Sequence, residues 1–72
     1  MTEFESGLPS IRQLQSFIQN KKEVEIKLLT QDQDIMVGKM LWQDQNCVCL
    51  QNQDQQSVLI WWQSIACIKV KL

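Results

Sequence analysis

The sequence predicts a mostly β chain: one N-terminal α-helix followed by a strongly bent five-stranded antiparallel barrel, in a single small domain. Three observations carry this. Apolar residues fall at helical spacing from Leu8 to Ile18. After Lys22 the spacing changes to alternation and runs through five apolar stretches separated by short polar turns. Gly38 interrupts the second stretch, as glycine does where a strand bends or bulges in a small barrel.

Leu8, Ile11, Leu14, Phe17 and Ile18 make the apolar stripe of an amphipathic helix of about three turns, with Arg12, Gln13, Gln15 and Gln19 between them. Two starts compete: Pro9 as the first helical residue, or Ser10 with Gln13 as a capping box. Asn20 ends the helix, and Lys21 and Lys22 supply cations that suit the negative end of its dipole. Residues 1–7 are expected to form a flexible N-terminal segment and residues 8–72 the domain.

Val24, Ile26 and Leu28 alternate with Glu25 and Lys27 as a half-buried first strand. A polar turn from Thr30 to Asp34 leads into a longer second strand from Ile35 to Trp42. Gln43-Asp44-Gln45-Asn46 turns into a third strand, Cys47 to Leu50, and residues 52–56 turn into a fourth, Val58 to Trp62. Gln63-Ser64 leaves only a tight connection to the fifth, Ile65 to Val70. The twelve glutamines sit largely beside aspartates in these turns, which reads as a solvated polar rim rather than an aggregation-prone tract.

A 72-residue chain buries a small core and usually needs a staple. The three cysteines are an odd count with no secretion signal, which argues against a disulfide framework. Cys47-Val48-Cys49 places two thiols on one face of a strand. Without histidine they make a poor metal set and read as small apolar fillers. Oligomerisation remains. The fourth and fifth strands agree, being apolar at nearly every position, because a strand apolar on both faces is covered on both. A neighbouring copy would provide that cover and pair the free edges.

A formal net charge of −1 lacks the strongly basic footprint usual for a nucleic-acid binder. No apolar run is long enough to cross a membrane and no leader is visible, so a cytoplasmic location and no membrane partner are expected. With no histidine, no tyrosine and only Gly7 and Gly38 as glycines, the chain lacks nucleophile–base pairs and a phosphate-cradling loop. No enzyme, cofactor or metal is expected.

The order of helix and bent strands, Val24-Glu25-Ile26, Gly38 in the second strand and Asp44-Gln45 in the following turn resembles the bacterial Sm-like family Hfq over roughly residues 8–70. Trp61-Trp62-Gln63-Ser64-Ile65 stands where the family carries an aromatic, a lysine, a histidine, a small residue and an aliphatic. The lysine and histidine are replaced here, two turns are longer, and a long tail after residue 72 is not seen, a combination similar to the divergent cyanobacterial branch. The resemblance implies an Sm-like fold assembled as a homohexameric ring, six subunits rather than seven being its implication and not the sequence's. Fourth and fifth strands would pair between copies, with Val58, Ile60, Trp61, Ile65 and Cys67 at the subunit interface. It also implies an RNA chaperone in post-transcriptional regulation, binding uridine-rich ends on the helix face and adenine-rich segments on the other.

On the helix face the resemblance implies Ser10, Gln45, Asn46, Trp62 and Gln63 as RNA contacts. Asn46 replaces a stacking aromatic, and Gln63 can still read a base edge with its amide. Trp62 is either a stacking platform or an apolar interface residue, the second being preferred, and Ser10 either bonds a base or caps the helix. On the opposite face Lys27 replaces the stacking tyrosine, beside the acids Asp32 and Asp34. At the rim an arginine cluster has thinned to Lys21 and Lys22. Binding to single-stranded RNA is therefore expected to be weak and salt-sensitive. The second function is a protein-interaction ring that docks an oligomeric partner through a short peptide tail, its repeated sites supplying avidity.

Overall fold

The structure, a computed structural model, describes residues 8–71; the segment 1–7 expected to be flexible lies outside the described residues, as does residue 72. Helix α1 spans Pro9–Gln19. Leu8 is its N-cap in extended conformation and Pro9 takes the first helical position. The capping box is therefore not formed, and no side chain caps the helix. Proline has no N–H to satisfy and its φ already suits a first turn, so Ser10 moves one place inside.

Ile11 and Phe17 turn inward from α1 and are buried. At the other end the Lys21 N–H donates to the Ile18 carbonyl (3.2 Å) and the Lys22 N–H to that of Phe17 (3.0 Å). This is a Schellman closure, and Lys21 occupies its left-handed position at φ 51°. A non-glycine residue there costs about 1–2 kcal/mol. Both lysines stand just beyond the helix rather than in its last turn.

Five antiparallel strands follow: β1 Glu23–Leu28, β2 Ile35–Gln43, β3 Cys47–Gln51, β4 Ser57–Trp61 and β5 Ile65–Val70. They form one sheet in the order β4-β3-β2-β1-β5. The fourth strand ends one residue before its expected end, because Trp62 begins a 3-10 turn, Trp62–Ser64, that links β4 to β5. Thr30 and Asp34 bond each other across the β1–β2 turn, and Asn52 accepts the Asp54 and Gln56 N–H groups in the β3–β4 turn. Gln33 and Gln55 supply the left-handed residues of these turns.

An extra residue on β2 between Met40 and Trp42, and one on β5 between Ile65 and Cys67 opposite Lys27 and Leu28, bend those two strands. Gly38 permits a close approach on β2: a Cβ there would overlap the Gln51 carbonyl and lie 3.0 Å from Leu50 Cγ. The sheet so curved wraps one core of Phe17, Val24, Ile26, Met40, Val48, Leu50 and Ile60. Each large aliphatic buried there contributes about 1.5–3 kcal/mol. Leu14 and Ile18 of α1 and Ile65 and Ile68 of β5 pack against it. Cys47 and Cys49 are buried free thiols on the other side of β3, opposite Trp61, Leu59 and Trp42 in register.

The barrel remains open along one seam. β4 and β5 are the two ends of the sheet, and each has one partner strand within the chain. Within the single chain β4 is covered on one face only. Ile60 is 6% exposed in the core, whereas Leu59 and Trp61 on the other face are 49% and 47% exposed.

Candidate functional site

Two turns meet at one end of the sheet. The first, Asp44-Gln45-Asn46, joins β2 to β3 and is organised by its aspartate. Asp44 Oδ1 accepts the Asn46 N–H (2.8 Å) and the Cys47 N–H (2.9 Å), and the Asp44 N–H donates to the Cys47 carbonyl (3.0 Å). The Cys47 and Asn46 N–H groups hold the Asp44 carboxyl below the usual carboxylate range. Burial, and then the Asp44 charge, push the Cys47 thiol up.

The second turn, Trp62–Ser64, is tied to the first by its tryptophan. The Trp62 backbone N–H donates to the Asn46 carbonyl (3.1 Å) and the indole Nε1–H to the Asp44 carbonyl (2.6 Å). Trp62 also packs on the core and is half-buried. Its role within the chain is thus a clamp between two turns, a use the sequence reading did not include. A tryptophan is fitted to it, with an apolar body for the core and one donor at the edge.

Clamped in this way, Gln45, Asn46 and Gln63 are exposed together. They present amides, which read hydrogen-bonding edges, and no charge. Ser10 is exposed on the first turn of α1, and its side chain makes no hydrogen bond among the described residues, so it neither caps the helix nor joins the clamp.

The remaining candidates lie elsewhere. Lys21 and Lys22 are exposed at the end of α1. Lys27 lies on β1 opposite Ile35 of β2 and Cys67 of β5, flanked by a Glu25–Lys69 ion pair (3.7 Å). A second surface pair joins Lys71 to Glu23 at 3.6 Å. Such pairs stabilise little but remove two cations from those available to an anion. Of the expected interface residues, Trp61 and Cys67 are exposed, Val58 and Ile65 are half-buried, and Ile60 is taken up by the chain's own core. No helix among the described residues is long and apolar enough to cross a membrane.

Leu41, Trp42 and Leu59 are among the exposed apolar residues that were not singled out as site candidates from the sequence. The signal for Leu59 is alternation, since its neighbours Val58 and Ile60 face the core. Leu41 and Trp42 are exposed side by side at the β2 bulge, which breaks that alternation. They line a groove of about 630 Å³ against Ile11, Gln15 and Ile18 of α1, with Gln43 in its wall. Gln43 Oε1 is buried there without a hydrogen-bond partner, which costs about 1–3 kcal/mol.

The arrangement matches known proteins closely. The sequence profile described as Hfq related covers residues 8–70. A crystal structure of an Hfq protein from Anabaena sp. is 45% identical, with a TM-score of 0.77, over 90% of this chain and 100% of that one. A crystal structure of a pleiotropic translational regulator, Hfq, is 26% identical, also with a TM-score of 0.77, over 85% of this chain and 97% of the other. No curated protein matches the chain. The helix, the bent sheet with two open ends, the close approach at Gly38 and the profile match over nearly the whole length agree: the chain belongs to the Hfq-related family of Sm-like proteins.

Proposed function

We propose that the protein is an Hfq-like RNA-binding regulator that works as a homohexameric ring, with weaker RNA affinity than its family commonly has. The observation that carries the reading is the pair of unpartnered edge strands, β4 and β5, at opposite ends of one sheet. Exposed edges invite pairing, and a head-to-tail contact between unlike edges closes into a ring when its rotation allows. The exposed Leu59 and Trp61 beside the β4 edge give that contact apolar area. The clamped turns would then repeat around the ring, so that Gln45, Asn46 and Gln63 form a circle of amides able to read base edges.

The affinity follows from charge. Six copies at −1 each sum to about −6, which weakens the counterion-release contribution to RNA binding. The test is fluorescence anisotropy of the size-verified oligomer with uridine-rich and adenine-rich RNA at low and physiological salt. Saturable binding with a clear salt slope supports the reading. No binding below about ten micromolar removes it. One observation favours a second reading, a ring that docks an oligomeric protein partner through a peptide tail: the amide cluster holds no cation, so it suits a peptide backbone as well as a base. A tail peptide that binds the ring at physiological salt while RNA does not would select it.

A further inference from the structure

We propose that the outer face of the sheet over β1, β5 and the β1–β2 turn is a contact between two copies of the ring, stacked face to face about a two-fold axis. The inference rests on the ring reading above and gives the ring a second, self-complementary interface outside the amide cluster.

The apolar part of this face is Leu29 and Ile35, 66% and 58% exposed, the most exposed large hydrophobic residues among those described. Both are held in place by the backbone. The Leu29 N–H donates to the Ser64 carbonyl (2.8 Å) and the Leu28 N–H to the Asp34 carbonyl (2.8 Å), next to Ile35. Lys27 lies opposite Ile35 of β2 and opposite Cys67 of β5, so the three side chains form one row across three strands. Two hollows, of about 420 and 170 Å³, share Lys27 and Cys67; one reaches Leu29 and the other Ile35. No residue of α1 lines either hollow. Each subunit thus carries projecting aliphatic side chains beside hollows on an outer surface, and an exposed apolar patch of this kind marks an interaction site.

Charge decides the occupant. Glu25 and Lys69 neutralise each other on this face (3.7 Å). Lys27 makes no ion pair among the described residues, and neither do Asp32 and Asp34 in the turn. Asp34 accepts the Thr30 hydroxyl, whereas the Asp32 carboxylate has no partner among the described residues. The patch is therefore basic on its strand side and acidic at its turn. A polyanion meets the two aspartates, and a peptide of one sign leaves half of the charges unmatched. A second copy related by a two-fold axis sets Lys27 against Asp32 and Asp32 against Lys27, as an isologous contact requires. Face-to-face stacking also stops at two rings, because each ring has one such face. The area needed is small. A stable interface takes about 800 Å² from each partner, so each of six subunits supplies about 130 Å². Two aliphatic side chains more than half exposed, with the polar turn beside them, are of that order.

The test is sedimentation velocity of the intact oligomer over about 1–100 micromolar subunit, a span that brackets a weak to moderate association. The parent is expected to pass from the mass of one ring to that of two as concentration rises. L29S/I35S is expected to stay at one ring with its circular dichroism unchanged. K27E is expected to raise the ring–ring dissociation constant at least about a hundredfold, since repeated contacts multiply the effect of one exposed pair. K27E/D32K, which exchanges the two charges, is expected to restore most of it. A parent that stays at one ring throughout overturns the inference and leaves the ring reading standing. A parent below ring mass removes both. Doubling that survives in L29S/I35S overturns the inference by placing the contact elsewhere. K27E/D32K no better than K27E overturns the charge pairing. Adenine-rich RNA that binds a parent of one-ring mass and is lost in L29S/I35S assigns the face to nucleic acid instead.

Discussion

The indole N–H of Trp62 donates to the backbone carbonyl of Asp44 at 2.6 Å, across 18 residues of sequence, and so locks the β4–β5 turn onto the β2–β3 turn. The exposed amides on both turns keep their relative positions through this bond and the backbone bond from Trp62 to Asn46. The geometry of the candidate site thus depends on a residue that is half-buried in the core.

Removal of that donor tests the clamp. W62F keeps most of the apolar body and loses the N–H. It is expected to lower stability by about 1 kcal/mol and to weaken ligand binding at Gln45, Asn46 and Gln63 beyond what the stability loss explains. Urea unfolding gives the first quantity and ligand titration the second. A W62F protein equal to the parent in both would show the bond to be incidental.

Asp44 predicts a pH dependence with a definite sign. Its carboxyl titrates below the usual range in the folded chain, because two backbone N–H groups favour the charged form. A group with a depressed folded pKa adds stability above its unfolded value, about 3.9, and that stability is lost as pH falls through the folded value. D44N should therefore be less stable than the parent near neutrality, and the gap should narrow below about pH 4. Thermal melts of both proteins across that range measure it; a gap constant with pH would exclude the carboxylate as its source.

Gly38 is a steric requirement. A Cβ at this position overlaps the Gln51 carbonyl, which is backbone and cannot swing aside. G38A is expected to lose about 3 kcal/mol or more, or to fail to fold. A control substitution at exposed Lys39 should stay within about 0.5 kcal/mol. Denaturant midpoints compare the two.

The two faces of β4 separate assembly from folding. W61D charges an exposed side chain and should yield a folded subunit of reduced assembly size by light scattering, with its circular dichroism retained. I60D places the charge in the core and should unfold the chain, since an unpaired buried carboxylate costs several kcal/mol. A W61D protein of unchanged mass would place the proposed contact elsewhere.

Much of the fold was legible in the sequence. Helical spacing from Leu8 to Ile18, alternation from Val24 to Leu28 and a glycine in the second strand are local patterns, and a local pattern records which side of an element meets the core. The elements and their order follow from it: of the two competing starts of α1 the structure takes Pro9, and Trp62 leaves the fourth strand for a 3-10 turn. What only the tertiary structure decided are relations between distant residues. The Trp62–Asp44 bond, the orphaned Gln43 oxygen and the exposure of Leu41 and Trp42 depend on how the bulge after Met40 turns β2 beneath the helix. A bulge changes the side from which every later side chain emerges, and nothing in the spacing of Leu41 and Trp42 announces it. Which strands end the sheet is likewise a matter of pairing. The chain determines that β4 and β5 are apolar, but only the curved sheet, closed on its core and left open along one seam, leaves their edges without a partner.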